Sequence, residues 1–145
     1  MPPLLARIGA GSVALDTAIF IYFIEENPAY LPRIEPLFEA IAAGRLQAVT
    51  SALTLLETLV VPMRVNNSEL AAQYEAILMR SDHLTFVELS VPVLRIAARL
   101  RAGKNIRTPD AIQVAAALHA NCTAFLTNDR KIPDDLGIDV IQLSL

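Results

Sequence analysis

Three stretches of this chain carry one charged residue each, and in every case that residue is a carboxylate. Asp16 is the only charge between Val13 and Ile24, Glu57 the only charge between Ala52 and Met63, and Asp110 the only charge between Thr108 and Leu118. Segments that are apolar on all sides are built to be buried. An ionised carboxylate taken out of water without a partner costs several kcal/mol, roughly, so it must meet a cation or take up a proton. No lysine or arginine lies inside any of the three stretches. One such acid would mean little, but three in one small chain point to convergence on a shared pocket, with bound divalent metal as the missing positive charge.

The rest of the chain says what scaffold would bring them together. Its 145 residues suffice for one domain, and with 54% apolar but only 6% aromatic residues the core must be aliphatic. Residues 1–10 read as a loose N-terminal extension, followed by a single domain over 11–145. Within that domain, Ser12–Leu15, Leu46–Thr50, His83–Leu89, Cys122–Leu126 and Ile138–Leu143 read as short strands. Helical patterning lies between them: through Phe20–Phe23, through Leu37–Ala42 with Gly44 as the stop, and from Ser51 until Pro62 ends or kinks the helix. Further helices run from Ser68 as its cap to about Arg80, from Val93 to near Gly103, and from Thr108-Pro109, a capping hydroxyl with proline in the first turn, to His119-Ala120-Asn121. Strands alternating with helices predict an α/β domain with a mostly parallel sheet and right-handed crossovers. In such sheets ligands bind outside the carboxyl ends of the strands. Asp16 and Asp129 each follow a strand, Asp110 opens a helix, and Glu57 sits one to two turns into the helix after the second strand, so all four acids reach that rim.

Each acid also has a local explanation. Thr54-Leu55-Leu56-Glu57 matches a capping box. Asp110 complements a helix dipole after Thr108-Pro109. Thr127-Asn128-Asp129 suits a polar turn, and Asp16 a strand-end Asx turn. Four such coincidences are needed to replace one shared site.

Several other chemistries are excluded. Gly9-Ala10-Gly11 precedes the first strand and lacks the third glycine of a dinucleotide fingerprint, and there is no P-loop. Two histidines and one cysteine are too few for structural zinc. A receiver domain would need an adjacent pair of N-terminal acids. The single cysteine, Cys122, allows no internal disulfide and reads as a small core residue on a strand. The absence of a legible secretory or membrane-spanning segment predicts a cytoplasmic protein without a membrane partner. A net charge of −3 argues against a generally basic coat for nucleic acid, while leaving room for a local patch.

The order and spacing of these pieces resemble the PIN-domain family, and within it the VapC-like toxins of type II toxin–antitoxin pairs. The matching pieces are Leu15-Asp16-Thr17-Ala18-Ile19-Phe20-Ile21-Tyr22, Glu57 on its helix, Arg107-Thr108-Pro109-Asp110-Ala111-Ile112-Gln113-Val114-Ala115-Ala116-Ala117, and Phe125-Leu126-Thr127-Asn128-Asp129. The resemblance implies a three-layer α/β/α sandwich and cleavage of single-stranded RNA with Mg²⁺ or Mn²⁺. It implies Asp16, Glu57, Asp110 and Asp129 as metal ligands and catalytic acids, with Thr127 as the hydroxyl beside them and Asn128 as its polar neighbour. It also implies a homodimer and a small antitoxin, which would insert an arginine into the acidic pocket. Two features depart from the family pattern: Ala18 stands where members often carry asparagine, and residues 1–10 exceed the usual short start.

Among the residues themselves, Asp16 and Asp110 have the strongest claim as metal ligands, with Glu57 and Asp129 completing the shell; one ion or two stays open. Arg95, Arg99, Arg101, Lys104 and Arg107 fall in the segment leading to Asp110. Of these, Arg101, Lys104 and Arg107 are the candidates for guiding an RNA backbone, against a solvated helix face and loop as the alternative. Tyr22 and Phe20 read as core in preference to base-stacking residues. Two other functions use the same residues: a non-catalytic PIN-like interaction module, and a nuclease acting on DNA or on particular nucleic-acid structures.

Overall fold

Short apolar runs bounded by turns become strands of three or four residues, and the sheet they form decides where everything else sits. In the computed structural model, which describes residues 3–144, β1 (Val13–Leu15), β2 (Ala48–Ser51), β3 (Leu84–Val87), β4 (Ala124–Thr127) and β5 (Asp139–Gln142) pair in the order β3-β2-β1-β4-β5. Every pairing is parallel: Val13 stands opposite both Ala48 and Ala124, and Leu15 opposite Leu126. The helices are α1 (Leu4–Ile8), α2 (Thr17–Ile24), α3 (Leu31–Ala42), α4 (Ala52–Arg64), α5 (Ser68–Arg80), α6 (Val91–Gly103) and α7 (Thr108–His119).

Strand side chains alternate between two cores, as the pleat requires. Val13, Leu15, Ala48, Ala124 and Leu126 face a cluster with residues of α1, α2, α3 and α5, including Leu4, Phe20, Leu37 and Leu78. Ala14, Val49 and Phe125 face the opposite cluster, with Val93 and Ala97 of α6 and Val114 and Ala117 of α7. The result is the expected α/β/α sandwich. The central strands are buried on both faces, which is why they read as unbroken apolar runs.

The differences from the sequence expectation are local. Met1 and Pro2 of the N-terminal extension lie outside the described residues, but the part described is not loose. α1 turns Leu4 and Ile8 into the core, because an apolar pair four residues apart makes one helical face. Pro62 does not end its helix: α4 continues to Arg64 with Pro62 buried inside it. Asn67 caps α5 by accepting from Leu70 N at 3.1 Å, one residue earlier than expected. Thr108 is the first helical residue of α7 and not its cap; Arg107 holds the cap position, with no side-chain cap bond. Cys122 is buried, as expected, but in the turn before β4. Gly44 stops α3 as expected, with φ +75°. Among the described residues no helix is long and apolar enough to cross a membrane.

Candidate active site

β1 is the centre of the sheet, with chain-earlier connections leading to β2 on one side and later ones to β4 on the other. The crevice at the carboxyl ends of β1 and β4 is therefore the topological switch point, where neighbouring connections diverge and leave a gap. Asp16 follows β1 directly, and its backbone N–H donates to Leu126 O of β4 at 3.0 Å. Thr127 ends β4, and Asp129 follows two residues on.

Asp16 has its two carboxylate oxygens committed. It caps α2, with Oδ1 accepting from Thr17 N at 2.9 Å, while Oδ2 accepts from Thr127 Oγ1 at 2.6 Å. The Asx-type cap and the site residue are thus the same side chain. Burial pushes the Asp16 carboxyl above its ordinary range; the Thr127 hydroxyl and Thr17 amide pull it down, and the charges of Asp110 and Glu57 push it up further. Thr127 is fully buried and also accepts from Asp129 N at 3.0 Å, so one hydroxyl ties the two aspartates' backbone and side chain together.

Glu57 lies in the second turn of α4, where Thr17 Oγ1 donates to its Oε1 at 2.6 Å. The capping-box expectation for Thr54 and Glu57 does not hold. Ser51 is the cap, extended at φ −99°, ψ 163° and accepting from Leu53 N at 3.2 Å. Thr54 is instead a fully buried residue of the helix interior. The helix starts where β2 ends, three residues earlier than the box assumed.

The other two acids meet a cation. Arg107 Nε donates to Asp110 Oδ2 at 3.0 Å, and its terminal nitrogen donates to Asp129 Oδ2 at 2.8 Å. Arg107 stands one residue outside the stretch that lacks lysine and arginine, at the (i, i+3) spacing that lets helix-start side chains meet. Asp110 is 8% exposed, and burial pushes its carboxyl up against the opposing pull of Arg107.

The candidate RNA-guiding cations divide. Lys104 is held by Asp135 at 2.7 Å, and Arg101 donates to Ile106 O at 3.1 Å. Arg101 and Arg107 nevertheless line one cleft of about 400 Å³ with Asn105, Ile106, Asp110 and Lys131, so basic groups surround the approach to Asp110. Lys104 is not among the lining residues. Phe20 is fully buried. Tyr22 stacks on Tyr30 at 4.4 Å between ring centres, and its hydroxyl accepts from Asn128 at 3.0 Å. Both are structural, as expected, and Asn128 braces the turn behind the site by also accepting from Ser144 N at 3.2 Å.

The donor set fits a hard divalent cation in its chemistry: four carboxylates and a hydroxyl, all oxygen, with mutual repulsion that raises Asp16. As the side chains stand, however, no group of three or more acidic, histidine or cysteine residues among the described residues is arranged to hold a metal ion. Asp110 and Asp129 each turn an oxygen to Arg107, while Asp16 and Glu57 each turn one to a threonine hydroxyl.

Sequence reasoning missed the neutral members of the site: Ser51, Thr17, Thr54 and Gln113, together with Lys131 at the cleft. Gln113 Nε2 donates to Thr17 Oγ1 at 3.0 Å and to Thr54 Oγ1 at 2.9 Å. The signal was available. Gln113 is the only amide in an otherwise apolar helix, three residues after Asp110, and the logic applied to lone carboxylates applies to it.

A five-stranded parallel sheet with an aspartate following each of β1 and β4 at its switch point defines the class, an α/β domain. The PIN domain family model matches residues 13–134, and the chain belongs to that family. No curated protein matches it in sequence. Among solved structures, it is similar to DNA-bound VapBC from Salmonella typhimurium, at 18% identity and TM-score 0.69 over 91% of this chain and 98% of that one. It is similar also to VapBC2 from Rickettsia felis bound to a promoter DNA fragment, at 19% identity and TM-score 0.67 over 90% and 97%. A third is the sarcin-ricin-loop-cleaving toxin VapC20 of Mycobacterium tuberculosis, at 16% identity and TM-score 0.63 over 86% and 92%. At these identities the likeness is one of fold.

Proposed function

We propose that this protein is a divalent-metal-dependent endoribonuclease that cleaves single-stranded RNA, acting as the toxin of a type II toxin–antitoxin pair. The observation that carries the proposal is that Asp16, at the sheet's switch point, feels the charges of Asp110 and Glu57, and Asp110 that of Asp129, with basic groups lining the approach to Asp110. Membership of the PIN family and the toxin–antitoxin complexes among its structural neighbours support the same reading.

Asp16, Glu57, Asp110 and Asp129 would hold Mg²⁺ or Mn²⁺, which when bound supplies the charge that offsets phosphate oxygens and activates water. The chain's own residues prepare that arrangement. Thr127 and the α2 amide fix Asp16 by two hydrogen bonds, leaving its orientation no freedom. Arg107 must release Asp110 and Asp129 for them to serve as ligands, and its exposed guanidinium then faces the cleft it shares with Arg101 and Lys131. There it binds a phosphate oxygen by charge-assisted hydrogen bonds. Lys104 pairs with Asp135 and does not line that cleft.

Partners follow from surface. α4 exposes Leu56 at 60%, Val61 at 58% and Met63 at 62%, an apolar face on the helix that carries Glu57. Such a face suits a second copy of the chain or an antitoxin segment. α2 and α3 spend Phe20, Ile34, Leu37 and Ile41 on the core.

The test is cleavage of single-stranded RNA and DNA of matched sequence by purified protein with Mn²⁺, with and without chelator, in wild type, Asp16→Asn and Asp110→Asn. RNA cleavage that requires metal and disappears in both variants is expected. Undiminished cleavage by Asp110→Asn, or a preference for DNA, would sink the assignment. Growth arrest on induced expression, absent in Asp16→Asn, tests the toxin role.

A further inference from the structure

We infer that Gln113 is a positioning residue for the nuclease site, setting the direction of a buried hydrogen-bond relay that ends on Glu57. The inference rests on the reading of Glu57 as a metal ligand.

The relay begins at the cap of α4. Ser51 Oγ accepts from Leu53 N at 3.2 Å, so its one proton is free to go elsewhere, and it goes to Gln113 Oε1 at 2.7 Å. The carboxylate of Glu57 only accepts, so Thr17 spends its proton there and must receive one from Gln113, which assigns the two ends of the amide. With Oε1 engaged by Ser51, the two hydrogens of Nε2 point the other way, to Thr17 Oγ1 at 3.0 Å and Thr54 Oγ1 at 2.9 Å. Thr17 Oγ1 now receives a hydrogen, and its own proton is delivered to Glu57 Oε1 at 2.6 Å. Thr50 Oγ1 anchors the far side, 2.8 Å from Thr54 Oγ1 and 3.1 Å from Leu15 O.

Gln113 is 3% exposed, Thr54 0% and Ser51 1%, so water does not compete for these bonds. A buried relay of this kind must be complete, because each unpaired polar atom in it is costly. The relay joins four elements, β2, α4, α7 and α2, so one amide locks the orientation of a carboxylate on α4 against the helix that Asp16 caps. Glu57 is held as an acceptor by a neutral hydroxyl, with one oxygen fixed and the other, Oε2, left for a ligand. The same amide sits one turn after Asp110 on α7, which couples the placement of the two acids.

Outer residues that orient metal-ligating side chains typically change metal affinity by about 10–100-fold when removed. The experiment is Mn²⁺ binding, measured by calorimetry and electron paramagnetic resonance, in wild type, Glu57→Gln, Gln113→Met, Thr17→Val, Thr17→Ser and the Gln113→Met/Thr17→Val double variant, with folding checked by circular dichroism. We expect Glu57→Gln, Gln113→Met and Thr17→Val each to weaken Mn²⁺ binding by about tenfold or more. Thr17→Ser, which keeps the hydroxyl, should bind as wild type does. The double variant should be no weaker than the weaker single one, because both break the same relay.

If Glu57→Gln weakens binding while Gln113→Met and Thr17→Val leave it within about twofold, the relay has no positioning role and the metal site stands without it. Additive losses in the double variant, or a Thr17→Ser variant as weak as Thr17→Val, overturn the inference in the same way. Should Gln113→Met fail to fold, the Thr17→Val and Thr17→Ser pair decides alone. A wild-type chain that binds no Mn²⁺ overturns both the inference and the function proposed above.

Discussion

The two halves of the site solve the same electrostatic problem differently. Asp110 and Asp129 lean on a cation: Arg107 spans them on the outer side of the cleft, with its side chain 61% exposed. Asp16 and Glu57 have neutral partners, the hydroxyls of Thr127 and Thr17 and the amide at the start of α2, within a buried network. A cation at the surface is easily exchanged for another, since an exposed ion pair is weak and screened. A buried hydroxyl relay is not exchanged without breaking several bonds. The comparison makes the outer half the adjustable one and the inner half the fixed frame.

Four measurements would break or sharpen that contrast. The largest effect expected is on activity: Glu57→Gln should reduce metal-dependent RNA cleavage by about 10²-fold or more, whereas Arg107→Gln should leave cleavage far less affected. Equal losses would erase the distinction between frame and exchangeable cation. Next comes stability. Thr54→Val leaves a Gln113 hydrogen without its acceptor in a site closed to water, while the Thr50 hydroxyl keeps Leu15 O, and should destabilise by about 1–3 kcal/mol in urea unfolding. Lys104→Ala on the surface should shift the same midpoint negligibly.

A smaller effect is predicted for metal affinity. Arg107→Gln removes the cation that competes for Asp110 and Asp129, so Mn²⁺ should bind the variant more tightly than wild type; weaker binding would mean that Arg107 supports the ligands instead of rivalling the ion. The smallest is a pH effect in metal-free protein. Asp16 and Asp110 both have carboxyls raised above the ordinary 3.8 in the folded state, so folded protein holds more protons than unfolded protein just above that value. Their protonated form is the stable one: stability is greatest below 3.8 and is lost as pH rises through the raised folded values. The melting temperature of wild type should therefore fall relative to that of Asp16→Asn across that window. A difference that stays constant or grows there would show that Asp16 is better compensated than its burial indicates.

Much of this was legible in the residues. The five strands and the long helices appear because apolar runs and helical periods are local signals, and the shifts that did occur were at ends, as at Asn67, where neighbouring hydrogen-bond partners settle the cap. Leu4 and Ile8 escaped notice because a five-residue helix carries too little periodicity to read, and only the core it covers holds it in place. Arg107 was visible as one of several basic residues before Asp110. That it would close on Asp110 and Asp129 together was not, because Asp129 is 22 residues further along the chain.

The amino-acid sequence by itself determined that three carboxylates would lie in apolar segments and that strands and helices would alternate, since both follow from composition over a few residues at a time. Only the tertiary structure decided which neutral side chains face those carboxylates and which cation reaches them. The link between Gln113 and Thr17 spans 96 positions, and that between Thr127 and Asp16 spans 111. Hydrogen-bond direction over such separations exists only once the sheet has set its strand order, because a donor has no assigned acceptor until packing removes water as the alternative.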